Sequence, residues 1–428
     1  LLQALLDMNV PAVRAGRPAS VSPSIQHRTI AALSERMPEV VTLRQQAGDA
    51  TLDKHTRQSA ANEAARYMYD GQSIIAKSAE VVVASCIGAQ QLLTIIGENE
   101  NENRSIFPIV ILDEAAQTTE PALVCALTAA KAGQVILVGD TKQLPPTVTS
   151  QDADLRKAIG CSPMERLLSN GIDEFSLKEQ YRMPESLLYH PNKYFYNSVV
   201  KCASTGGADE NLPPPRGFPW PSPNDEPLAF LRVGNDSEEA HSFGGRSNPT
   251  EVKVIMDIVE NIIAAGDIDA KNIAIISPYS KQVQLFRTEL SNASLSDRCK
   301  TFSDVKAGTV DSFQGQETDL VIFSAVRSNL FQDLGFIQDP RRLNVAITRA
   351  RRGLIVVGDP TVLRTCRHWA ALLNSCTERG CILTQTEYNS KITSLVKVRA
   401  EAESPNDEKR IRSETADLDM DDELFGLF

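Results

Sequence analysis

The sequence predicts an α/β protein with two tandem domains, each built on a parallel sheet. Short apolar runs rich in β-branched residues recur along the chain, at residues 109–112, 134–138, 272–276 and 353–357. Helix-length segments separate these runs, and this alternation is typical of parallel sheets with helices on both faces. At 428 residues the chain is also too long for one ordinary domain. We place the two domains at residues 1–175 and 176–395.

The composition indicates a globular protein of a reducing compartment. The chain is 42% hydrophobic and 23% charged, and no apolar run approaches the length that crosses a bilayer. Its eight cysteines are scattered, with no zinc-ligand spacing, and free thiols explain them. The first ten residues lack the basic segment and cleavage site of a secretory signal. We therefore expect a cytoplasmic or nuclear protein that does not bind membranes.

The net charge of -11 argues against a uniformly basic nucleic-acid binder. Residues 401–428 contain ten acids and three bases, however, and so account for -7 of this charge. The rest of the chain is therefore only weakly acidic, and the possibility of a local basic groove on it remains. The end of the chain, residues 396–428, is expected to be an acidic disordered tail. Its acids alternate with Leu and Phe, so it could instead dock a protein partner as a short amphipathic motif.

The first domain begins with a helix and a turn at residues 16–18, followed by an extended connection to about residue 35. Residues 36–78 are polar and helix-permissive, and they suit a helical hairpin inserted into the sheet domain. Residues 80–88 (EVVVASCIG) then predict a buried strand that ends in small polar residues.

The run IVILDEAAQ at residues 109–117 organises this domain. Its four apolar residues fit a fully buried parallel strand, and Asp113 and Glu114 follow at the end where the strand leaves the sheet. Ligands of open α/β sheets bind beyond the carboxyl ends of the strands. One carboxylate there could hold Mg²⁺ through water and the other could deprotonate an attacking water. The alternative is a solvated acidic pair at the start of a helix.

The next loop, GDTKQLPPTV at residues 139–148, follows another predicted strand. Gly139 lets the backbone turn tightly, and Pro145 and Pro146 stiffen the exit. A rigid loop could hold Gln143 near a nucleotide phosphate, whereas the structural alternative is an ordinary proline-braced turn.

The second domain repeats the pattern of strands and helices. An amphipathic helix is predicted over residues 251–265, and strands over 272–278, 308–324 and 353–359. Residues 211–227 are rich in proline, with Phe218 and Trp220, and predict a connection that runs over the surface.

Five motifs, in this order, resemble the superfamily-1 helicases: DEAAQ at 113–117, GDxxQLPP at 139–146, QYRM at 180–183, GTVDSFQGQE at 308–317 and RLNVAITRAR at 342–351. MPE at 37–39, GFPWP at 217–221 and SPY at 277–279 make the chain most similar to the up-frameshift branch, the RNA helicases of nonsense-mediated decay. The resemblance covers nearly everything to about residue 395. It implies two RecA-like domains, of the P-loop NTPase fold, with ATP in the cleft between them.

The resemblance also implies a set of roles in ATP binding and hydrolysis. Asp113 would bind Mg²⁺ through water, Glu114 would be the general base and Gln143 would contact the γ-phosphate or the lytic water. Tyr181 would stack on adenine, Glu317 would accept a hydrogen bond from the ribose, and Gly315 belongs to the same cofactor-binding set. Arg182 and Arg349 would be arginine fingers, a role worth about 10³ to 10⁵ in rate. The structural alternatives are a salt bridge from Arg182 to Glu179 or Glu185, and a basic surface helix for Arg349 and Arg351.

Single-stranded RNA or DNA would cross both domains, held by backbone amides and hydroxyls that read no sequence. By resemblance the candidate contacts are Ser85, Cys86, Pro146, Thr147, Thr309 and Val310. For Ser85 and Cys86, packing at a strand end is an equal alternative.

The sequence contains no Gly-x-x-x-x-Gly-Lys-Ser/Thr loop, which cradles the phosphates in P-loop enzymes. In the family this loop precedes the helix that here begins at Leu1, so we expect an N-terminal truncation and an incomplete first domain. Two functions follow. The first is an ATP-dependent helicase or translocase that moves 5′ to 3′ as a monomer, with ATP and Mg²⁺ as cofactors. The second is a catalytically inactive module that binds nucleic acid or protein.

Overall fold

Two units make up the chain in the computed structural model, which describes residues 1–96, 107–130, 133–150, 152–203, 212–221, 226–234, 237–242, 245–295 and 300–402. Unit 1 comprises Leu1–Thr141 and Pro145–Glu174. Unit 2 comprises Phe175–Phe428 together with the short segment Lys142–Leu144.

Unit 1 contains eight helices and four short strands among its described residues. In chain order these are α1 (Leu2–Asp7), β1 (Ala12–Arg14), α2 (Ile30–Ser34), α3 (Pro38–Gly48), α4 (Lys54–Ser78), β2 (Val81–Val83), α5 (Gln90–Ile96), β3 (Ile109–Leu112), α6 (Glu120–Ala130), β4 (Gln134–Leu137), α7 (Ala153–Ile159) and α8 (Pro163–Ser169).

The predicted helical hairpin is present as α3 and α4. Asp53 caps α4 by accepting hydrogen bonds from the backbone N–H groups of His55 and Thr56. Gly71 allows α4 to approach the start of α3 closely, because a Cβ at that position would collide with the Met37 sulfur.

The strands of unit 1 are parallel, as predicted, but they form two separate pairs among the described residues. β1 pairs with β2, and β3 pairs with β4. The prediction that β3 is fully buried is wrong: Ile109 and Ile111 point one face of the strand to solvent, and Leu112 is the buried residue. Each strand of a two-stranded sheet has one unpaired edge, and such a small sheet is covered on one face only. The apolar residues of β3 that point to the other face are therefore exposed.

The predicted strand at residues 80–88 is also shorter than expected. β2 ends at Val83, and its three residues are half-buried. After it, the Ser85 hydroxyl accepts a hydrogen bond from the Gly88 N–H group and the Ser85 carbonyl accepts one from Ala89, which starts the turn into α5. Serine competes for backbone partners in this way and so ends the strand early.

Unit 2 contains seven helices and ten strands among its described residues. They are β5 (Glu179–Gln180), α9 (Glu185–Phe195), β6 (Lys201–Cys202), β7 (Leu228–Arg232), β8 (Glu239–Ala240), β9 (Arg246–Ser247), α10 (Pro249–Ala265), β10 (Ile273–Ser277), α11 (Ser280–Leu295), β11 (Lys306–Thr309), β12 (Thr318–Ser324), α12 (Pro340–Ile347), β13 (Ala350–Gly358), α13 (Pro360–Leu363), α14 (Arg367–Glu378), β14 (Ile382–Thr384) and α15 (Gln385–Ala402).

Six of these strands form one parallel sheet in the order β11-β10-β12-β13-β7-β14. Two apolar clusters pack on its two faces, and residues of one strand alternate between them: Ile276 of β10 joins the first cluster and Ile275 the second. A parallel sheet with both faces covered is the predicted α/β architecture.

Helix α10 covers one face of this sheet and shows why the local sequence folds as it does. Asn248 caps the helix by accepting from the Glu251 N–H group, Pro249 occupies the first turn, and Gly266 ends the helix with a φ of 75°. Its buried side chains, which form the stripe that faces the sheet, include Val252, Ile255, Ile258, Val259 and Ile262.

Two further expectations differ from the structure. Phe218 lies in the proline-rich connection that we expected on the surface, yet it is buried against α10 and packs on Trp220 and Tyr388. Proline predicts an extended backbone, but it does not decide which side chains the core takes up. Helix α15 extends to Ala402, past the expected start of the tail, and residues 403–428 lie outside the described residues.

Candidate active site

The Asp113–Glu114 pair leaves the carboxyl end of β3, where the sequence placed it. The Glu114 N–H group donates to Asp113 Oδ1 at 3.0 Å, and Gln117 Nε2 donates to Glu114 Oε2 at 2.8 Å. Glu114 has a φ of 54° and a ψ of 39°, a left-handed conformation that costs free energy in a residue with a side chain. Hydrogen bonds on both sides therefore hold an unfavourable backbone that fixes the direction of the Glu114 carboxylate.

The loop after β4 lies against the Asp113–Glu114 loop in unit 1. The Ala115 N–H group donates to the Val138 carbonyl at 2.8 Å. A Cβ at Gly139 would stand 2.9 Å from the Ala116 nitrogen, which is closer than real Cβ atoms approach, and 3.0 Å from the Ala115 nitrogen. Glycine is therefore required at this position by the close approach of the two loops.

Asp113 fits Mg²⁺ in its chemistry. Its side chain is exposed, and a carboxylate keeps acceptor positions beyond the one used by the Glu114 N–H group. Protein Mg²⁺ sites need only one or two carboxylates, because the ion keeps several waters and binds substrate phosphates. Throughout the described part of the chain, no group of three or more His, Cys, Asp or Glu side chains is arranged to hold a metal ion.

Gln143 belongs to unit 2, although the chain on either side of residues 142–144 belongs to unit 1. Leu144 is buried in the first core cluster of unit 2. The Lys142 carbonyl accepts a hydrogen bond from Asn344 Nδ2 at 3.0 Å, and Gln143 Oε1 accepts one from Arg349 Nη2 at 3.3 Å. Hydrogen bonds thus hold residues 142–144 to α12 and to Arg349, which follows that helix.

Arg349 is buried, and protein acceptors hold its guanidinium. Besides Gln143, it donates from Nε to the Val345 carbonyl and from Nη1 to the Gln316 carbonyl, at 3.0 and 3.2 Å. Its Nη2 also donates to Thr348 Oγ1 at 3.1 Å. The structural alternative of an exposed basic helix is therefore wrong for Arg349, which lies between α12 and the amino end of β13.

Arg182 lies beside the same edge of the sheet. Its Nε donates to Glu317 Oε2 at 2.7 Å and its Nη1 donates to the Thr348 carbonyl at 3.0 Å. The salt bridge that the sequence offered as an alternative, to Glu179 or Glu185, is replaced by this pair with Glu317. The Arg182 hydrogen bond is the main cause that lowers the pKa of Glu317, and the charge of Arg351, 3.9 Å away, acts in the same direction.

The tight turn of the QYRM motif is built by Gln180. Its Oε1 accepts from the backbone N–H groups of Arg182 and Met183, and its Nε2 donates to the Met183 carbonyl. This geometry turns Tyr181 outward, and its ring is 62% exposed. Gly315 is exposed with a φ of 70°, a conformation that suits glycine.

These groups lie at the amino ends of strands in unit 2. Glu317 directly precedes β12, Arg349 directly precedes β13, and the register pairs Thr318 with Ala350. Thr309 lies at the opposite, carboxyl edge, because it ends β11 and pairs with Ser277 at the end of β10. The nucleotide candidates and the nucleic-acid candidates of unit 2 are therefore on opposite edges of one sheet.

The candidate nucleic-acid residues differ in accessibility. Ser85 and Thr147 are exposed, and Thr309 and Cys86 are half-buried. Pro146 and Val310 are buried, so any ligand contact of Val310 would use its backbone. Thr309 also shapes its loop, since its carbonyl accepts from the Ser312 hydroxyl at 2.7 Å.

Asn344 is the site residue that sequence reasoning missed. Its side chain is fully buried and donates to the Tyr196 hydroxyl, at 2.7 Å, as well as to the Lys142 carbonyl. The available signal was a single amide within the apolar run LNVAI at residues 343–347. A buried amide requires partners, so its presence there indicated a specific contact.

Among the described residues, no helix is both long and apolar enough to cross a membrane. Comparison with known sequences defines the class of protein. Two profiles, both described as AAA domain, match residues 5–151 and 159–361.

The relatives are more specific. The chain is 36% identical to a regulator of nonsense transcripts 1 homolog of Drosophila melanogaster over 75% of its length, and 34% identical to the Arabidopsis thaliana homolog over 78%. It is 32% identical to the ATP-dependent helicase NAM7 of Saccharomyces cerevisiae over 82%. The chain spans 26%, 25% and 34% of these three relatives, respectively. The chain belongs to the superfamily-1 helicases, in the branch that holds the regulators of nonsense transcripts.

Among solved structures, an Arterivirus nonstructural protein 10 (helicase) aligns with 65% of this chain and 42% of its own, at 16% identity and a TM-score of 0.30.

Proposed function

We propose that this chain is the larger part of the core of an ATP-dependent helicase or translocase that moves 5′ to 3′ on single-stranded RNA or DNA. The observation that carries the proposal is the set of contacts at the amino edge of the unit 2 sheet. There Arg182, Glu317, Arg349 and Gln143 are held by hydrogen bonds to one another and to α12. Phosphoryl transfer needs positioned cations and a positioned amide more than it needs covalent chemistry, and this edge supplies both.

Asp113 would hold Mg²⁺ through water, and the ion when bound would neutralise charge on the phosphates. Glu114 would take a proton from the attacking water. The left-handed backbone of Glu114 and its hydrogen bonds with Asp113 and Gln117 support this role, because a general base must be held in reach of one water.

Arg182 and Arg349 would stabilise the charge of the transferred phosphoryl group. Each is fixed by backbone carbonyls, so its planar fork is oriented before a ligand arrives. Gln143 would orient the lytic water or contact the γ-phosphate. The hydrogen bond that it accepts from Arg349 holds the two side chains next to each other.

The remaining nucleotide contacts would come from Tyr181, Gly315 and Glu317. Tyr181 is exposed and would stack on the adenine base. The Glu317 carboxylate would accept from the ribose, and its pairing with Arg182 links recognition of the sugar to the position of an arginine finger.

Single-stranded nucleic acid would lie at the carboxyl edges, where Thr309 and the backbone of Val310 act in unit 2. In unit 1 the corresponding contacts would come from Ser85, Cys86, Pro146 and Thr147. Relatives named regulators of nonsense transcripts make RNA and nonsense-mediated decay the favoured substrate and pathway, in a monomer of the cytoplasm or nucleus. The acidic end of the chain would bind a protein partner.

The test is Glu114→Gln, made in the longest polypeptide that contains this chain. ATP hydrolysis stimulated by oligouridine should fall by about 10² to 10⁴, the range that general bases contribute. Binding of a fluorescent ATP analogue should persist, because the amide has nearly the shape of the carboxylate. Glu63→Gln, on the exposed surface of α4 in the same unit, is the matched control and should hydrolyse normally. Wild-type turnover by Glu114→Gln would remove Glu114 from the mechanism.

The second candidate function is a module that binds nucleic acid or protein without hydrolysis. It is favoured by one sequence observation, the lack of a Gly-x-x-x-x-Gly-Lys-Ser/Thr loop within residues 1–428. The 428-residue chain alone is expected to hydrolyse little ATP under either function. A longer natural polypeptide that contains such a loop and still does not hydrolyse ATP would favour the binding module.

A further inference from the structure

We propose that the turn at residues 329–332 of unit 2 is a stacking platform for an unpaired base of single-stranded nucleic acid, with Phe331 as the stacking side chain. This proposal extends the proposed function to a contact that none of the motifs contains.

The two central residues of this turn are apolar and project into solvent. Leu330 is 82% exposed and Phe331 is 92% exposed, whereas nine of the eighteen described Phe, Tyr and Trp residues of the unit are buried. The Gln332 N–H group donates to the Asn329 carbonyl at 3.2 Å, which closes the turn, and Gln332 has a φ of 53°. Single exposed apolar side chains are common on protein surfaces, so the exposure of Phe331 shows only that its ring is accessible to a ligand. The support of the turn and its position on the sheet indicate which ligand that is.

The turn is held firmly from below. Asn329 Nδ2 donates to Glu238 Oε2 and to the Asp333 carbonyl, at 2.8 and 2.9 Å, and Asn329 Oδ1 accepts from the Asp333 N–H group. Arg327 bridges Glu238, Asp333 and the Tyr279 hydroxyl, with 3% of its side chain exposed. The buried Arg327–Glu238 pair costs desolvation free energy, and together with the exposed Asp333 it fixes the geometry of the turn that it supports.

The backbone that leads into the turn is strained. Val326 is buried with a φ of 71°, and the Arg327 N–H group donates to the Ala325 carbonyl across it at 2.8 Å. This is the rare γ-turn that β-branched residues avoid. The Val326 N–H group is held by both carboxylate oxygens of Glu251, each at 3.0 Å. Strain that the surroundings keep in place is a property of binding sites that are formed before the ligand arrives.

The position of the turn favours nucleic acid as the occupant. It follows β12, whose carboxyl end lies on the same edge of the sheet as those of β10 and β11. Two steps between strands, about 10 Å, separate the end of β12 from Thr309. Downstream of the turn, Arg342 of α12 links Phe336 to the Thr309 segment, because its guanidinium lies 5.7 Å from the Phe336 ring centre and pairs with Asp311 at 3.5 Å.

The size of the apolar surface also favours a base over a protein. A stable protein interface covers about 800 Å² on each partner, whereas one phenylalanine offers at most about 250 Å². A base needs only one flat ring, and stacking on an aromatic side chain tolerates any base. A strand that passes Thr309 and continues along the carboxyl edge would meet Phe331 without any sequence requirement.

The test compares Phe331→Ala with the wild-type chain in binding to a fluorescein-labelled oligouridine of about 12 nucleotides, within the site sizes usual for such proteins. The dissociation constant should rise by about five-fold to a hundred-fold, the range for losing one stacked base. The slope of affinity against salt should stay the same, because stacking releases no counterion. Phe331→Trp should bind at least as tightly as the wild type. Phe175→Ala, which removes another almost fully exposed phenylalanine of unit 2, should bind normally.

A second readout reports stacking itself. Single 2-aminopurine substitutions along the oligonucleotide should include a position whose fluorescence falls on binding to the wild-type chain and stays high with Phe331→Ala. Equal oligouridine affinity of Phe331→Ala and wild type overturns the platform. A wild-type chain that does not bind oligouridine overturns the proposed nucleic-acid function along with it, so the two failures are distinguishable.

Discussion

The two units use similar strands in different surroundings. β3 of unit 1 is Ile-Val-Ile-Leu and β10 of unit 2 is Ile-Ala-Ile-Ile-Ser. From sequence alone, both runs predict a buried strand. Every residue of β10 is buried, whereas alternate residues of β3 face solvent. β10 has a neighbour on each side and apolar clusters on both faces, while β3 pairs only with β4 among the described residues. An apolar run therefore reports that a strand forms, and its neighbours decide how much of it is buried.

The units also differ in which edge of the sheet carries the candidate nucleotide-binding residues. In unit 1 the acidic pair follows the carboxyl end of β3. In unit 2 Glu317 and Arg349 directly precede β12 and β13, Arg182 pairs with Glu317, and the carboxyl edge carries Thr309 and the Phe331 turn. The rule that ligands bind beyond carboxyl ends thus predicts the acidic site of unit 1. It does not predict the amino-edge cluster of unit 2, which only the motif resemblance indicated.

The largest expected effect tests the difference in burial. Ile275→Ala in β10 should lower the free energy of unfolding of unit 2 by about 2 to 5 kcal/mol, because it leaves a cavity in a fully packed core. Ile111→Ala in β3 removes a side chain that is 67% exposed and should change stability by less than about 1 kcal/mol. Urea unfolding followed by circular dichroism measures both. Equal losses would show that β3 is covered in solution by a surface that the described residues do not supply.

Sequence patterns predicted those parts of the fold that depend on local chemistry. The α/β class with parallel strands is confirmed, and the amphipathic helix predicted over residues 251–265 is present as α10, Pro249–Ala265. The patterns failed where distant partners decide the outcome. Phe218 is buried because α10 and Tyr388 surround it, and no local signal reports that.

The candidate site shows the same division. Its motif residues could be found because their types and spacing are distinctive, but their partners could not. Arg182 pairs with Glu317, 135 positions away, instead of with the nearby glutamates. Asn344 contacts Lys142 and Tyr196, which only the folded chain brings together. The motifs therefore suggest the role of each residue, and the contacts in the folded chain supply the physical reason for it.

The second prediction concerns residues 142–144, which are the exception to the division of the chain because they belong to unit 2 within a stretch of unit 1. Asn344→Ala removes the hydrogen bond to the Lys142 carbonyl and should let Gln143 shift relative to Arg349. Misplacement by about 1 Å can cost about 100-fold in rate. In the longest polypeptide that contains this chain, kcat for ATP should therefore fall by that order while KM changes little. Asn374→Ala, on α14 away from this edge, is the matched control. A fall in kcat that follows a loss of folded protein, with normal activity per folded molecule, would contradict the positioning role.

The last prediction concerns the one fully buried glutamate of the described chain, Glu251. The acidic pair of unit 1 is exposed or half-buried, whereas burial raises the pKa of Glu251 from its usual 4.5 to about 8, against hydrogen bonds from Ser324 and Val326 that lower it. A folded-state pKa above the unfolded value gives stability that is complete below pH 4.5 and is lost as the pH rises through 8. The free energy of unfolding of unit 2 should therefore decrease over that range, by at most about 1.4 kcal/mol per pH unit.

Glu251→Gln isolates this contribution, because glutamine keeps the shape of the neutral acid and does not titrate. Subtracting its stability curve from that of the wild type cancels other groups, including His190, whose pKa is lowered to about 4 by burial and by the nearby charges of Arg379 and Lys193. The difference curve from urea unfolding should be flat below pH 4.5 and should turn in favour of Glu251→Gln as the pH approaches 8. A difference that is constant from pH 5 to pH 8 would mean that Glu251 stays charged in the folded chain. In that case the hydrogen bonds from the Val326 N–H group stabilise the charged carboxylate by more than burial destabilises it. The ionised side chain of Glu251 would then hold the strained γ-turn that leads to Phe331.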